Sequence, residues 1–166
     1  MLRKALYTVI VLLLVGGTTG WAKPTTAQSA GPTRCVIFLE PIQPGETESK
    51  ASEPVCSTGK IDSVNGESLA ASFLIARFYD NINYVTLLVS YIGASACSPS
   101  ISYGRASLPS NLDNKFASGR SYSGCNWISV YDGSYYFGPN YTCSGGSGCS
   151  NFFALNNYVS SWRTFH

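Results

Sequence analysis

The chain has 166 residues, of which 12% are charged, and its 11 Lys and Arg residues against 9 Asp and Glu residues give a net charge of +2. Three of the basic residues, Arg3, Lys4 and Lys23, lie in or near an N-terminal leader, so the rest of the chain is close to neutral and has no basic run. Binding to nucleic acid or to an anionic membrane by bulk electrostatics is therefore disfavoured.

The first thirty residues have the order of a secretory signal peptide. A short basic start precedes an apolar run over 5–15, and small and polar residues follow, with Ala22 and Ala30 each in a suitable cleavage context. The run is too short to span a bilayer comfortably. An uncleaved anchor is the alternative, and the small, polar residues after the run disfavour it. We predict a leader over 1–30, secretion to the extracellular space, and no membrane contact after cleavage.

The cysteines favour disulfides. All six lie after the leader, at Cys35, Cys56, Cys97, Cys125, Cys143 and Cys149. An even number in an exported chain is typical of a disulfide set. Zinc is the alternative, but the sequence has no CxxC pair and His166 is its only histidine. Order along the chain suggests the pairs Cys35–Cys56, Cys97–Cys125 and Cys143–Cys149.

The predicted elements are short strands separated by turn signals. In chain order the strands are expected over 35–42, 73–79, 83–93, 100–108 and 128–132. The polar stretch 50–60 predicts a loop, and 62–72 is compatible with a helical turn that Gly66 weakens. Strands of this length and spacing favour an all-β sandwich or barrel, with one compact domain after an N-terminal extension over 31–72.

Two parts of the chain repeat the same pattern. "FYDNINYVT" (78–86) and "VYDGSYYFG" (130–138) each contain Tyr-Asp and a second tyrosine five residues after the first. Two later segments, "LDNKFASGRSY" (112–122) and "LNNYVSSWRTF" (155–165), also align. Chance similarity among Tyr- and Ser-rich strands is the alternative, but head and tail agree together. The pattern predicts a duplicated supersecondary unit.

The second copy carries a family resemblance. Tyr131, Tyr136 and Gly138 match an aromatic–aromatic–Gly head, and "NNYVSS" (156–161) matches a tail of the form Asn/Asp-Asn/Asp-x-x-Ser/Thr-Ser. Together they resemble the Greek-key motif of the βγ-crystallin superfamily in its microbial, calcium-binding form. The resemblance implies that the head tyrosine packs on a folded hairpin, and that the glycine stands where the backbone angle is costly for other residues.

The resemblance covers 73–165, with motif one over 73–122 and motif two over 126–165. It implies a βγ-crystallin-like sandwich of two Greek-key motifs and does not explain 35–72, so the fold we predict is this sandwich with a separate, disulfide-stapled N-terminal extension. The first copy departs from the pattern twice. Thr86 stands where the family has Gly, and Ala117 stands where the first tail Ser or Thr is expected.

Calcium sites are also implied by the resemblance, one for each motif. The fuller site would use Asn156, Asn157 and Ser160, with the carbonyl of Tyr158. The poorer site would use Asp113 and Asn114, and head-turn oxygens would come from around Asp80–Asn81 and Asp132–Gly133. Calcium takes oxygen ligands, and with few carboxylates the binding should be weak. The alternative is that these Asn and Ser side chains only satisfy turn hydrogen bonds.

An enzyme is not expected. A nucleophilic triad needs a histidine held in place, and most carboxylates lie in polar, turn-like sequence of the extension. The favoured function is a secreted, calcium-binding structural or binding module. The alternative is a secreted metallopeptidase inhibitor, because some bacterial inhibitors resemble the same fold, and "QPGETESK" (43–50) or "CSGGSGC" (143–149) could supply its loop. The partner would be an extracellular peptidase or a cell-surface component.

Overall fold

A computed structural model describes residues 33–64, 67–144 and 146–166. The predicted leader and both of its candidate cleavage positions lie outside the described residues. Within those ranges the secondary structure consists of strands and short 3-10 turns, which confirms the all-β prediction. No helix among them is long and apolar enough to cross a membrane.

The strands are β1 (Arg34–Leu39), β2 (Val55–Ser57), β3 (Ser63–Val64), β4 (Glu67–Ser68), β5 (Phe73–Asn81), β6 (Val85–Gly93), β7 (Tyr103–Arg105), β8 (Ser118–Ser121), β9 (Trp127–Tyr131), β10 (Asn140–Ser144) and β11 (Ser161–Phe165). The prediction of a loop over 50–60 was wrong at β2, because this segment pairs antiparallel with β1 and places Cys56 opposite Cys35. The helical turn expected within 62–72 is present as the 3-10 turn Leu69–Ala71.

The two main sheets exchange one strand between the two motifs. One sheet has the order β2-β1-β6-β5-β8 and the other has the order β10-β9-β11-β7. Thus β7, the third strand of motif one, pairs with β11 of motif two. In return, Cys149 of motif two forms an isolated antiparallel β-bridge, through main-chain hydrogen bonds, with Gly119 in β8. Each motif therefore completes the sheet of the other, which is the interlocked two-Greek-key sandwich that the resemblance implied.

The N-terminal extension is part of the larger sheet. Its strand β1 pairs in parallel with β6, with Cys35 opposite Val89 and Leu39 opposite Gly93. The loop that follows β1 crosses to the other sheet, where the Ser49 N–H donates to the Gly104 carbonyl at 2.9 Å. The extension is thus hydrogen-bonded to strands of both sheets.

Aromatic side chains fill the space between the sheets. Phe78 stacks on Phe116 with ring centroids 4.3 Å apart, and it lies 5.1 Å from the indole of Trp162. Trp162 in turn lies 4.6 Å from Tyr91. All four side chains are fully buried. Burial of such rings is the main favourable term that holds the two motifs together.

Both head hairpins fold over in the same way. The paired tyrosines make edge-to-face contacts, at 5.6 Å for Tyr79 and Tyr84 and at 5.5 Å for Tyr131 and Tyr136. Tyr84 and Tyr136 have φ angles of 63° and 61°, in the left-handed region. The contact between tyrosine and hairpin that the resemblance implied is therefore present in both motifs.

One serine hydroxyl fastens each folded hairpin. The Ser118 Oγ accepts a hydrogen bond from the Tyr84 N–H at 3.1 Å and donates to the Asn81 carbonyl at 2.6 Å. In motif two, the Ser161 Oγ accepts from the Tyr136 N–H at 3.1 Å and donates to the Gly133 carbonyl at 2.6 Å. We call these two residues the clamp serines. Both are buried, so each hydroxyl satisfies two main-chain groups where few other partners are in reach.

The departure at Thr86 does not change the fold of the first hairpin. Thr86 has a φ of 60°, and its counterpart Gly138 has a φ of 83°. The Asn81 side chain donates to the Thr86 Oγ1 at 3.2 Å, which partly compensates. A β-branched residue in this region is strained, so the first hairpin stores an unfavourable backbone conformation that the second avoids.

Three disulfides join the described cysteines, and their pairs are those suggested by order along the chain: Cys35–Cys56, Cys97–Cys125 and Cys143–Cys149. The first staples β1 to β2. The second links the segment after β6 to the segment before β9, and both of its cysteines are buried. The third closes a short loop with a sequence separation of 6.

We predict that Thr86→Gly stabilises the protein. Relief of the left-handed strain is worth about 1–2 kcal/mol, and it is partly offset by the roughly 0.5–1 kcal/mol that glycine loses through chain entropy. The reverse change, Gly138→Thr, should destabilise chiefly through the backbone, since an added Cβ there meets only ordinary contacts, the nearest at 3.5 Å. Urea unfolding of both variants measures the difference, and a destabilising Thr86→Gly would show that no strain is stored at this position.

We predict that the disulfides contribute unequally to stability. A longer closed loop removes more entropy from the unfolded chain, and Cys97–Cys125 spans 28 residues against 6 for Cys143–Cys149. Replacing the first pair by alanine should therefore lower the free energy of unfolding by about 2–4 kcal/mol, and replacing the second pair should cost less. Mass spectrometry of the untreated protein should detect no free thiol, and two or more free thiols would contradict the disulfide assignment.

Candidate functional site

The two predicted calcium-binding tails face each other across the motif interface. The Asn114 N–H donates to the Val159 carbonyl at 3.1 Å, and the Asn157 N–H donates to the Phe116 carbonyl at 2.9 Å. Both asparagines are left-handed, with φ angles of 57° and 59°. The tails are therefore locked together as equivalent turns, and each lies beside the other motif.

Because of this arrangement, the structure groups the predicted site residues differently from the sequence prediction. The Ser160 hydroxyl donates to the Asp113 carboxylate, with Oγ and Oδ1 2.7 Å apart. The fifth position of one tail thus lies beside the first position of the other. Ser160 was assigned to the Asn156 site, but it joins the carboxylate of motif one. The fuller set of side-chain oxygens is therefore at Asp113.

The remaining tail residues are held by local hydrogen bonds. The Asn156 Oδ1 accepts from the Phe152 N–H at 3.0 Å, and its Nδ2 donates to the Asn151 Oδ1 at 2.9 Å. The Phe152 N–H also donates to the carbonyl of Ala117, which has no hydroxyl to offer. Asn156 therefore serves a turn, as the alternative interpretation expected for these residues.

The other two residues of the second tail, Asn157 and Tyr158, are exposed. In the first tail, the Asn114 side chain donates to the Asp113 Oδ2 at 3.2 Å. Asn114 thereby orients the second oxygen of the carboxylate that Ser160 contacts.

Each head turn lies against the tail of its own motif. The Ser160 N–H donates to the Tyr131 carbonyl at 2.9 Å, and the neighbouring clamp serine binds the carbonyl of Gly133. The Asp132–Gly133 turn is therefore beside the Asp113–Ser160 pair, and both aspartates are half-buried. In motif one, the Ala117 N–H donates to the Tyr79 carbonyl at 2.9 Å, which places the Asp80–Asn81 turn beside the tail that lacks the hydroxyl.

The site at Asp113 offers oxygen atoms only. Its candidate metal ligands are a carboxylate, a hydroxyl and nearby main-chain carbonyls, a set that suits a hard cation such as calcium. Within residues 33–64, 67–144 and 146–166, no three His, Cys, Asp or Glu side chains gather closely enough to hold a metal ion. A cation there would depend on neutral oxygens and water for most of its coordination, which favours weak binding.

The clamp serines were not among the predicted site residues. The signal that could have identified them is their repetition, since Ser118 and Ser161 occupy the last position of both tail patterns. Neither offers a free hydroxyl to a metal, because each already bonds two main-chain groups.

The first candidate inhibitor loop, residues 43–50, is anchored to motif two and to the residue that follows β7. The Tyr136 hydroxyl donates to the Thr47 carbonyl at 2.8 Å, and the Ala106 N–H donates to the Glu48 Oε2 at 2.9 Å. Burial raises the pKa of Tyr136 to about 12, and the Glu48 carboxylate adds to this rise. The tyrosine therefore remains neutral over the whole physiological range and keeps its hydrogen bond to the loop.

Comparison with known proteins finds similarity in structure and none in sequence profiles. No known protein-family profile matches the chain, and no curated protein sequence matches it significantly. Among solved structures, the chain is similar to a βγ-crystallin from an archaeon, with 18% sequence identity over 56% of this chain and 99% of that chain, at a TM-score of 0.39.

At that level of similarity, the fold assignment rests on the molecule itself. The exchanged third strands, the two folded tyrosine hairpins and the repeated clamp serines together define it. The protein has a βγ-crystallin-like fold of two Greek-key motifs, extended at its N-terminal side by β1 and β2.

Proposed function

We propose that this protein is a secreted, disulfide-stabilised module that binds calcium weakly at Asp113 and Ser160 and uses the ion to reinforce the contact between its two motifs. The observation that carries the proposal is the 2.7 Å contact between the Ser160 hydroxyl and the Asp113 carboxylate. The two residues are far apart in sequence and belong to different motifs. An ion bound to both would tie one motif to the other.

The distance between these oxygens suits a shared ion. Calcium–oxygen bonds are about 2.3–2.6 Å long, so two oxygens 2.7 Å apart can both bind one calcium. The Ser160 hydrogen would then turn away, and the hydroxyl lone pair would face the ion. Because only one carboxylate would bind the ion, the Kd for calcium should lie near that of extracellular modules, about 10⁻⁴–10⁻³ M.

The three disulfides are typical of a protein in an oxidising compartment, and we propose more specifically that this protein is secreted. N-terminal sequencing of the exported protein tests it. A mature chain beginning after Ala22 or Ala30 would agree with the proposed leader, and retention of the full sequence inside the cell would contradict it.

Peptidase inhibition is the second candidate, and one observation favours it. The loop 43–50 is held at Thr47, Glu48 and Ser49, yet most of its residues are exposed. A rigid exposed loop loses little entropy when a partner binds it. Assays against a metallopeptidase panel test this function, and lack of inhibition at micromolar protein would reject it.

We predict that Ser160→Ala abolishes most calcium binding, and that Asp113→Asn does the same, because these two side chains belong to one site. Calcium at about ten times its Kd should stabilise the wild type by about 1.4 kcal/mol through mass action, which raises the melting temperature by several degrees. Calorimetry and thermal unfolding with calcium or with EDTA measure both effects.

Ala117→Ser is the matched variant in the other tail. It adds a hydroxyl beside the Asn156 turn, so it should create or strengthen a second, weaker site without changing the first. The proposal fails if millimolar calcium leaves the melting temperature of the wild type unchanged. If Asn156→Ala removes binding and Asp113→Asn does not, the site has the grouping expected from the sequence instead.

A further inference from the structure

A second candidate site lies on the outer face of the larger sheet, away from the calcium tails. Residues 59–61, 69 and 72, which follow β2 in the chain, and residues of β1, β6 and β5 line a cleft of about 340 Å³. This volume is within the range of small-ligand pockets. Ser90 and Ile92 line the cleft, on the face of β6 opposite to the core residues Val89 and Tyr91. Even on this outer face they are only 8% and 7% exposed.

The charged residues of the cleft all have the same sign. Arg34, Lys60 and Arg77 line it, and among the described residues no Asp or Glu does. Lys60 pairs with Asp62 at 2.9 Å, but both side chains are largely exposed, so this pair is screened by water. In a chain close to neutral, three cations around one cleft make a local positive field.

The surroundings of Arg77 further favour binding of an anion. It lies directly opposite Arg120 in the pairing of β5 with β8, and two like charges at such positions repel. The Nε atoms of both arginines are buried without a hydrogen-bond partner. The guanidinium groups lie near rings, at 5.7 Å from Tyr122 for Arg77 and at 4.2 Å from Tyr84 for Arg120. The rings offset part of the repulsion, but they leave the Nε donors unsatisfied.

The floor of the same cleft is apolar. Leu74, Leu87 and Ile92 line it beside Arg77. A small inorganic anion would satisfy the cations and leave this surface uncovered, and an uncharged apolar molecule would do the reverse. A ligand with both parts would satisfy both.

We propose that the cleft binds a free, single-chain amphiphile with a monoanionic head, its carboxylate or sulfate at Arg77 and its alkyl chain on Leu74, Leu87 and Ile92. Arg34 and Lys60 contribute attraction at the edge. This site does not depend on the calcium proposal, because it uses none of the tail residues.

Decanoate is a suitable probe, with acetate and decanol as matched controls for its head and its chain. In calcium-free buffer with EDTA, calorimetry on the mature oxidised protein should show decanoate binding at least about tenfold tighter than either control, because each control lacks one of the two contacts. Amide NMR shifts should concentrate at Ser90, Ile92 and Arg77.

Arg77→Gln should weaken decanoate binding about tenfold. Lys60→Gln should weaken decanoate binding less, and this variant should not destabilise the fold because the Lys60 side chain is 87% exposed. Arg163→Gln is the matched control, since Arg163 also lies near tyrosine rings, on the other sheet, with its guanidinium 5.7 Å from Tyr136. It should bind decanoate as the wild type does.

Equal binding of decanoate and decanol would overturn the proposal, as would an unchanged affinity in Arg77→Gln or an equal loss in Arg163→Gln. Absence of decanoate binding would do so as well, including the case in which anionic lipid vesicles bind and decanoate does not. Asp113→Asn should leave decanoate affinity unaltered, which separates this site from the calcium site.

Discussion

The fold depends on a backbone conformation that is unfavourable for most residues and is held in place by one hydroxyl. In each motif the hairpin folds over at left-handed tyrosines, Tyr84 and Tyr136, and a clamp serine bonds both sides of the bend. Such conformations persist only when the surroundings over-determine them. The clamp serines come from the tails, so head and tail of each motif must be in place before either is stable.

The strand exchange follows from the same geometry and decides where ligand atoms can meet. Since β7 pairs with β11 and the tails cross at the motif interface, the fifth position of one tail lies beside the first position of the other. Two equivalent places result, but only one holds both a hydroxyl and a carboxylate. At the other, Ala117 offers no hydroxyl and the amide of Asn156 is engaged with Phe152. A duplicated fold has therefore become chemically asymmetric through a few side chains.

Much of this arrangement was visible in the sequence, and the limits were physical. The repeated heads and tails predicted a duplicated unit, and the family resemblance carried by the tyrosine spacing and Gly138 implied that each copy is a Greek-key motif. The resemblance grouped Ser160 with Asn156 in one tail, and the hydrogen bond between Ser160 and Asp113 could not be foreseen, because only the fold brings the two tails together. The strand β2 was missed because it is only three residues long, lies in a polar stretch, and pairs with β1 through main-chain bonds and the disulfide.

The cleft could not be foreseen for a related reason: its cations come from β1, from the segment after β2 and from β5, which are brought together only in the folded sheet. The extension is what creates it. By adding β1 to the exposed edge of β6, the extension covers an edge that would otherwise invite pairing with another chain. Residues 59–61, 69 and 72, which lie between β2 and β5 in the chain, are then found on the outer face of the sheet, beside Ser90 and Ile92. Protection of the sheet edge and formation of a charged cleft are thus two results of one path of the chain.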